Sequence, residues 1–206
     1  KLPNLKIISK HGVGCNTIDI EAAKERGIIV TNTPGANANS VAELIVGLML
    51  DVCRNITVAD RKSQAGEFAS IAPKEMTGIE LTGKTLGLIG AGNIARIVGK
   101  ILVGGFGCNV VAYDPYMPAE AMASFGYEKV ETVDEVIERA DIVNVSVPLT
   151  PETENLIAGA SFDKFRPNAI LINAARGGIV NEDDLYDALK AGKLRAAACD
   201  AFVTEP

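Results

Sequence analysis

The chain has 206 residues, 48% of them hydrophobic, with a formal net charge of −6. That length can bury roughly 70% of the surface its unfolded form exposes, which bounds it to a globular body of one or two domains. Lysines and arginines are scattered without a basic stripe, so nucleic acid is excluded as a partner and a small molecule fits better.

The opening stretch KLPNLKIISKHG holds no long apolar run, and the most hydrophobic segments, such as IVGKILVGGF, carry lysine or several glycines. Neither a signal peptide nor a transmembrane span is read from them. Within this opening, LKIIS and IIVTN flank a helical pattern as a strand, helix, strand unit over residues 1–31. It is too small to hold a core alone, and the chain is expected to begin inside a domain.

Ser40 with Glu43 matches a capping box, and Val41, Leu44, Ile45, Leu48, Met49 and Val52 repeat at helical spacing, predicting one long helix from Ser40. The following AGEFASIAPKEMTGIELTG lacks periodicity and reads as an irregular connection. Next comes TLGLIGAGNIARIVGKIL, a strand, a glycine turn and a helix that match G-x-G-x-x-A through Gly90, Gly92 and Ala95. Gly90 serves the turn, Gly92 allows close approach to a pyrophosphate, and the third position sets helix–strand packing. The helix N-terminus would direct free N–H groups at the phosphates.

NVVAY is the next apolar run, and Asp114 follows it, 22 residues after Gly92. An acid at that distance meets the adenosine ribose, and with Pro115 and Tyr116 next and no neighbouring arginine for a 2′-phosphate, the spacing predicts NAD and not NADP. Thr132 with Glu135 caps VDEVIERA, IVNVSV follows as a strand, and Asn181 opens EDDLYDALKA with Gly192 closing it. Counting AILINA and AAACD, the apolar runs are continuous and alternate with helices, which predicts an α/β fold with a doubly wound parallel sheet. The four cysteines, Cys15, Cys53, Cys108 and Cys199, are widely spaced without a C-x-x-C pair. They read as reduced core thiols of a cytosolic protein, with no metal site.

Arg176 stands just past the strand AILINA, flanked by Ala175, Gly177 and Gly178. In an open parallel sheet that place faces the ligand, a guanidinium fork holds a carboxylate in two hydrogen bonds, and the glycines would leave room for ligand. Spacing alone leaves open that Arg176 caps strand carbonyls or pairs with a surface acid.

The chain resembles the D-isomer-specific 2-hydroxyacid dehydrogenases, in particular their phosphoglycerate dehydrogenase-like branch. The likeness is carried by KHGVGCNTIDIEAAKERGI, NTPGANANSVAEL, GKTLGLIGAGNIA, YDP, VPLTPET, LINAARGGIVNEDDL and ACDAFVTEP, in the family's order. By this resemblance Arg176 orients the substrate, and Glu205, 29 residues later, is the catalytic glutamate. Cofactor contacts carry over to Gly90, Gly92, Asn93, Ile94, Asp114, Val147, Ala174, Ala175, Arg176 and Asp200. Val13 and Gly14 are expected to receive the substrate carboxylate on their amides, with Asn37 also facing the substrate.

The resemblance implies hydride transfer between NAD and a small D-2-hydroxy or 2-oxo acid, with 3-phosphoglycerate as one candidate, and homodimerisation through the NAD-binding domain along the helix from Ser40. It divides the chain into residues 1–31, the end of a substrate domain, and 32–206, an NAD-binding domain incomplete at its C-terminal end. The family's catalytic histidine would follow Glu205, so the chain reads as a fragment, and the lone His11 as a loop residue. Cys15, Asn16 and Thr17, where relatives often carry an aromatic, an acid and an amide, and Val13, which lacks a hydroxyl, bear on substrate identity. An alternative of another class is an NAD-sensing binding protein like the family's corepressors. A third is the NAD-binding domain of some other dehydrogenase.

Overall fold

The computed structural model describes residues 2–15, 17–68 and 76–205; Asn16 and part of the expected irregular connection lie outside them. Strand β1 (Ile7–Ser9), helix α1 (Ile20–Glu25) and β2 (Ile29–Thr31) come first, with β1 and β2 in parallel register. Ala23 is the one buried residue among those described up to Thr31, and Ile7 and Ile29 are 53% and 62% exposed. So this unit closes no core of its own.

Helix α2 (Ala38–Arg54) follows, then α3 (Ile56–Ala65). The capping box expected at Ser40 does not form: the helix begins two residues earlier, with Asn37 as its N-cap and no side-chain cap bond. Backbone bonds set the start instead. Ala38 N donates to the Gly35 carbonyl, and the Asn37 carbonyl accepts Val41 N as the first helical bond. Asn55, left-handed at φ 54°, divides α2 from α3.

The rest builds one six-stranded sheet from β3 (Thr85–Ile89), β4 (Asn109–Tyr113), β5 (Glu128–Lys129), β6 (Ile142–Val145), β7 (Ile170–Asn173) and β8 (Ala196–Cys199). Its spatial order is β5-β4-β3-β6-β7-β8, all parallel. Renumbered within the sheet this is 3-2-1-4-5-6, with the order reversing between β3 and β6. Helices α4 (Asn93–Phe106), α5 (Ala119–Ser124), α6 (Val133–Arg139) and α7 (Glu182–Lys190), with a 3₁₀ turn at Gly159–Lys164, complete the domain.

Because both faces of the sheet are covered, β6 and β7 are buried at every position, Asn144 and Asn173 included. On one face Ile45 and Met49 of α2 and Val98 and Leu102 of α4 pack on Leu86, Leu88, Ile142 and Ile170. On the other, Val136 and Ile137 of α6, Phe162 of the 3₁₀ turn and Leu185 of α7 meet Ile89, Val143 and Leu171. Each such large side chain contributes about 1.5–3 kcal/mol through burial.

Two predicted caps form. Thr132 accepts from Glu135 N at 3.1 Å, although the Glu135 carboxylate reaches back to Glu131 N and not to the cap residue. Asn181 accepts from Asp184 N at 3.0 Å, and Gly192, at φ 70°, follows the C-cap Ala191 of α7.

Candidate functional site

The carboxyl ends of β3 and β6 diverge at the reversal of strand order, and a crevice opens there. Gly90 leaves β3 at φ 90°, and a Cβ on it would lie 2.6 Å from the Ser146 carbonyl oxygen. Only glycine fits between the exits of β3 and β6. At Gly92, by contrast, an added Cβ would meet nothing within 4 Å, so this backbone faces open space. Helix α4 starts directly after it with no side-chain cap, which leaves its first amides for an external anion.

Asp114 closes this turn. One carboxylate oxygen accepts Ala91 N at 3.0 Å and the other accepts Tyr116 N at 2.9 Å. A carboxylate offers about four acceptor positions, so each oxygen retains capacity for a ribose hydroxyl. The open backbone at Gly92, the uncapped helix start and the half-buried acid together fit a dinucleotide.

Further along the crevice, a cleft of ≈ 400 Å³ brings together Val13, Gly14, Asn37, Ile94, Val147, Ala174, Ala175 and Arg176. These come from five separate segments of sequence. Gly90, Gly92, Asn93, Asp114 and Asp200 are not part of its lining. The first four stand at the glycine turn; Asp200 is exposed just past β8, its amide donating to the Asn173 carbonyl at 3.0 Å.

An adjoining cleft of ≈ 450 Å³ shares Gly14, Leu149 and Arg176 with the first, and adds Lys10, Glu154, Phe202 and Glu205. Arg176 is exposed, and its Nη1 donates to the Ala175 carbonyl at 2.7 Å. Among the described residues it has no carboxylate within salt-bridge distance, so its remaining N–H groups are open to a ligand. Glu205 turns back on its own loop, accepting Phe202 N at 3.2 Å. Across the cleft, Gly12 N and O bond Thr33, and the Val13 carbonyl accepts Asn32 Nδ2 at 2.8 Å. The amides of Val13 and Gly14 have no partner among the described residues.

One reading of the sequence is corrected. Gly177 and Gly178 both line the adjoining cleft, but the side of Gly177 that a Cβ would occupy is not open to ligand: a Cβ there would lie 2.0 Å from the Phe202 carbonyl carbon. Glycine at that position lets the segment bearing Glu205 lie against the turn bearing Arg176. Sequence reasoning also passed over Lys10 and Leu149, which carry no spacing signal because the cleft gathers them from distant segments. Burial holds the Cys53 thiol up at about 11, and Cys199 is raised by burial and then by Glu182, so neither is a ready nucleophile.

The fold and crevice define a doubly wound dinucleotide-binding domain. Residues 46–206 match the family described as D-isomer specific 2-hydroxyacid dehydrogenase, NAD binding domain. The chain belongs to this family and carries its NAD-binding domain. It is 48% identical over its full length to a D-3-phosphoglycerate dehydrogenase of Methanocaldococcus jannaschii, of which it covers 38%. To a hydroxypyruvate reductase of Thermotoga maritima it is 43% identical over 98% of the chain, covering 64% of that protein. The chain thus spans about two fifths of the length of the phosphoglycerate dehydrogenases it matches. Among solved structures, D-lactate dehydrogenase with NAD⁺ from Lactobacillus jensenii matches 98% of the chain at TM-score 0.82 and 33% identity, covering 60% of that structure. The apo form of Rhodotorula graminis D-mandelate dehydrogenase matches 99% at TM-score 0.87 and 31% identity, covering 61%.

Proposed function

We propose that the complete protein is an NAD-dependent oxidoreductase acting on a small D-2-hydroxy or 2-oxo acid. The observation that carries this reading is the cleft shared by Arg176, Glu205 and Gly14, with Val13 in the adjoining cleft and the amides of Val13 and Gly14 without a partner among the described residues. The nicotinamide ring supplies or accepts the hydride. Gly92 and the first amides of α4 hold the pyrophosphate, with Asn93 and Ile94 in the same turn, and Asp114 takes the ribose. Val147, Ala174 and Ala175 line the nicotinamide end, and Asp200, tied through its amide to the Asn173 carbonyl, is assigned to the same end.

In this reading the Val13 and Gly14 amides and the Arg176 fork grip the substrate carboxylate, with Asn37 beside them. The same guanidinium polarises the C2 oxygen as charge develops on it. Glu205 favours the protonated form of an imidazole hydrogen-bonded to it, and the family resemblance assigns the proton on the C2 oxygen to such a histidine. Lys10, in the same cleft, gives a second cation for an acid with a second anionic group, which supports D-3-phosphoglycerate as a candidate.

The test is turnover by the complete protein with NADH and hydroxypyruvate or glyoxylate, and with NAD and D-3-phosphoglycerate. Absence of turnover with all of them would end the proposal. Asp114→Ala should raise the dissociation constant for NADH about tenfold or more, since it removes two hydrogen bonds of roughly 1 kcal/mol each to the ribose and loosens the Ala91 turn. An unchanged constant would remove Asp114 from the cofactor site.

The division at residues 31 and 32 is kept as part of the reading, supported by the near absence of buried residues before it. So is a homodimer through the NAD-binding domain, supported by Leu44, Ile56 and Val58, which are 40–54% exposed along α2 and α3; sedimentation of the complete protein as a monomer would exclude it. The buried thiols of Cys53 and Cys108 accord with a cytosolic setting.

A further inference from the structure

Two side chains outside both clefts hold the segments that carry Arg176 and Glu205. Asn173 ends β7 and is only 2% exposed. Its Oδ1 accepts Ala175 N at 3.2 Å, and its Nδ2 donates to the Arg176 carbonyl at 2.9 Å. One carboxamide therefore grips the turn on both sides of the arginine's Cα. The contrast is Asn144 on the adjacent strand, equally buried, whose Oδ1 has no partner among the described residues. A satisfied pair of bonds is thus not a general property of buried amides in this sheet, and at Asn173 it is directed at the arginine turn.

Glu182, the first residue of α7, does the corresponding work for Glu205. Its Oε1 accepts Val203 N at 2.7 Å, a short bond to an ionised acceptor, two residues before Glu205. The Asn173 carbonyl also receives Asp200 N at 3.0 Å, which ties the start of the same segment to the end of β7. Between these anchors, Gly177 packs against the Phe202 carbonyl.

We infer that Asn173 and Glu182 are positioning residues that fix the placement of Arg176 and Glu205 relative to each other. The inference rests on the reading of those two residues as substrate and catalytic groups. Neither Asn173 nor Glu182 touches the reacting atoms; both act through the backbone of the turns they hold. A misplacement of about 1 Å at such a site can cost about 10²-fold in rate.

A double-mutant cycle in the complete protein, assayed with NADH and hydroxypyruvate, tests it. Asn173→Ala should lower kcat/KM about 10- to 100-fold in the native background and no more than about twofold when Arg176 is already alanine, because residues acting through one another do not add. The same fold loss in both backgrounds would overturn the positioning role of Asn173. An Arg176→Ala variant with native kcat/KM would instead overturn the functional reading itself. Should Asn173→Ala fail to fold, the isosteric Asn173→Asp retains an acceptor for Ala175 N and loses the donor to the Arg176 carbonyl, and it must show the same non-additivity. For the other anchor, Glu182→Ala should lower kcat about tenfold. Glu182→Gln, which still accepts from Val203 N, should recover most of that loss. Equal losses for alanine and glutamine would mean that only the charge at the helix end matters, and would refute the role of Glu182.

Discussion

Arg176→Ala in the complete protein should lower kcat/KM for its 2-oxo acid by about 10²- to 10⁴-fold, with little change in the unfolding midpoint. The size follows from two hydrogen bonds to a charged group, each contributing about 1.5–3 kcal/mol, against 1.4 kcal/mol per factor of ten. The small stability effect follows from exposure. Arg176 is open to solvent, and its hydrogen bond goes to the carbonyl of its own neighbour, so deletion leaves no buried group unpaired. Arg176→Lys should fall between the two, losing roughly 10- to 100-fold, because the charge stays and the planar fork is lost. An arginine that merely capped strand carbonyls would give the reverse pattern, a lower midpoint with near-native kcat/KM. Steady-state kinetics beside thermal unfolding of the same three proteins separates the two.

The sheet was legible because burial on both faces removes the need for alternation. AILINA and IVNVSV could be read as strands from composition alone, and their residues in β7 and β6 are buried throughout. Thr132 and Asn181 were legible as caps because each acts on an amide three residues away. Ser40 matched the same pattern, yet α2 starts at Ala38, since backbone bonds from Ala36 and Ala38 already turn the chain before Ser40 is reached. Helix α3 escaped notice because it buries none of its residues and so has no apolar stripe to reveal it. The two residues of β5 are too few to show a period.

The same distinction governs the site. Gly90, Gly92 and Asp114 belong to one local unit whose spacing carries meaning, whereas Lys10, Leu149 and Phe202 reach the cleft only through tertiary folding. The glycine after Arg176 was read as space for a ligand. A glycine signals close approach but not what approaches, and here the neighbour is another stretch of the chain, 25 residues further on.

Gly177→Ala should therefore impair turnover while sparing cofactor binding. The added methyl would lie 2.0 Å from the Phe202 carbonyl carbon, 2.2 Å from its oxygen and 2.4 Å from Val203 N. All three are backbone atoms, so no side-chain rotation relieves the overlap and the 202–205 segment must retreat. That retreat breaks or stretches the Glu182 bond to Val203 N and carries Glu205 away from Arg176. Overpacking of this kind costs about 1–3 kcal/mol of stability, and kcat should fall about 10²-fold. NADH affinity should stay within about threefold, because the glycine turn after β3 makes none of these contacts. Gly178→Ala is the control. Its φ of 81° strains any side chain by roughly 1–2 kcal/mol, but the methyl would meet Leu149 and Val203 side chains at 3.7 and 3.8 Å, ordinary contact distances. Stability should drop in both variants, and kcat much more in Gly177→Ala. If both lose kcat in step with stability, the contact at Gly177 is packing alone and Glu205 owes its place to something other than this contact.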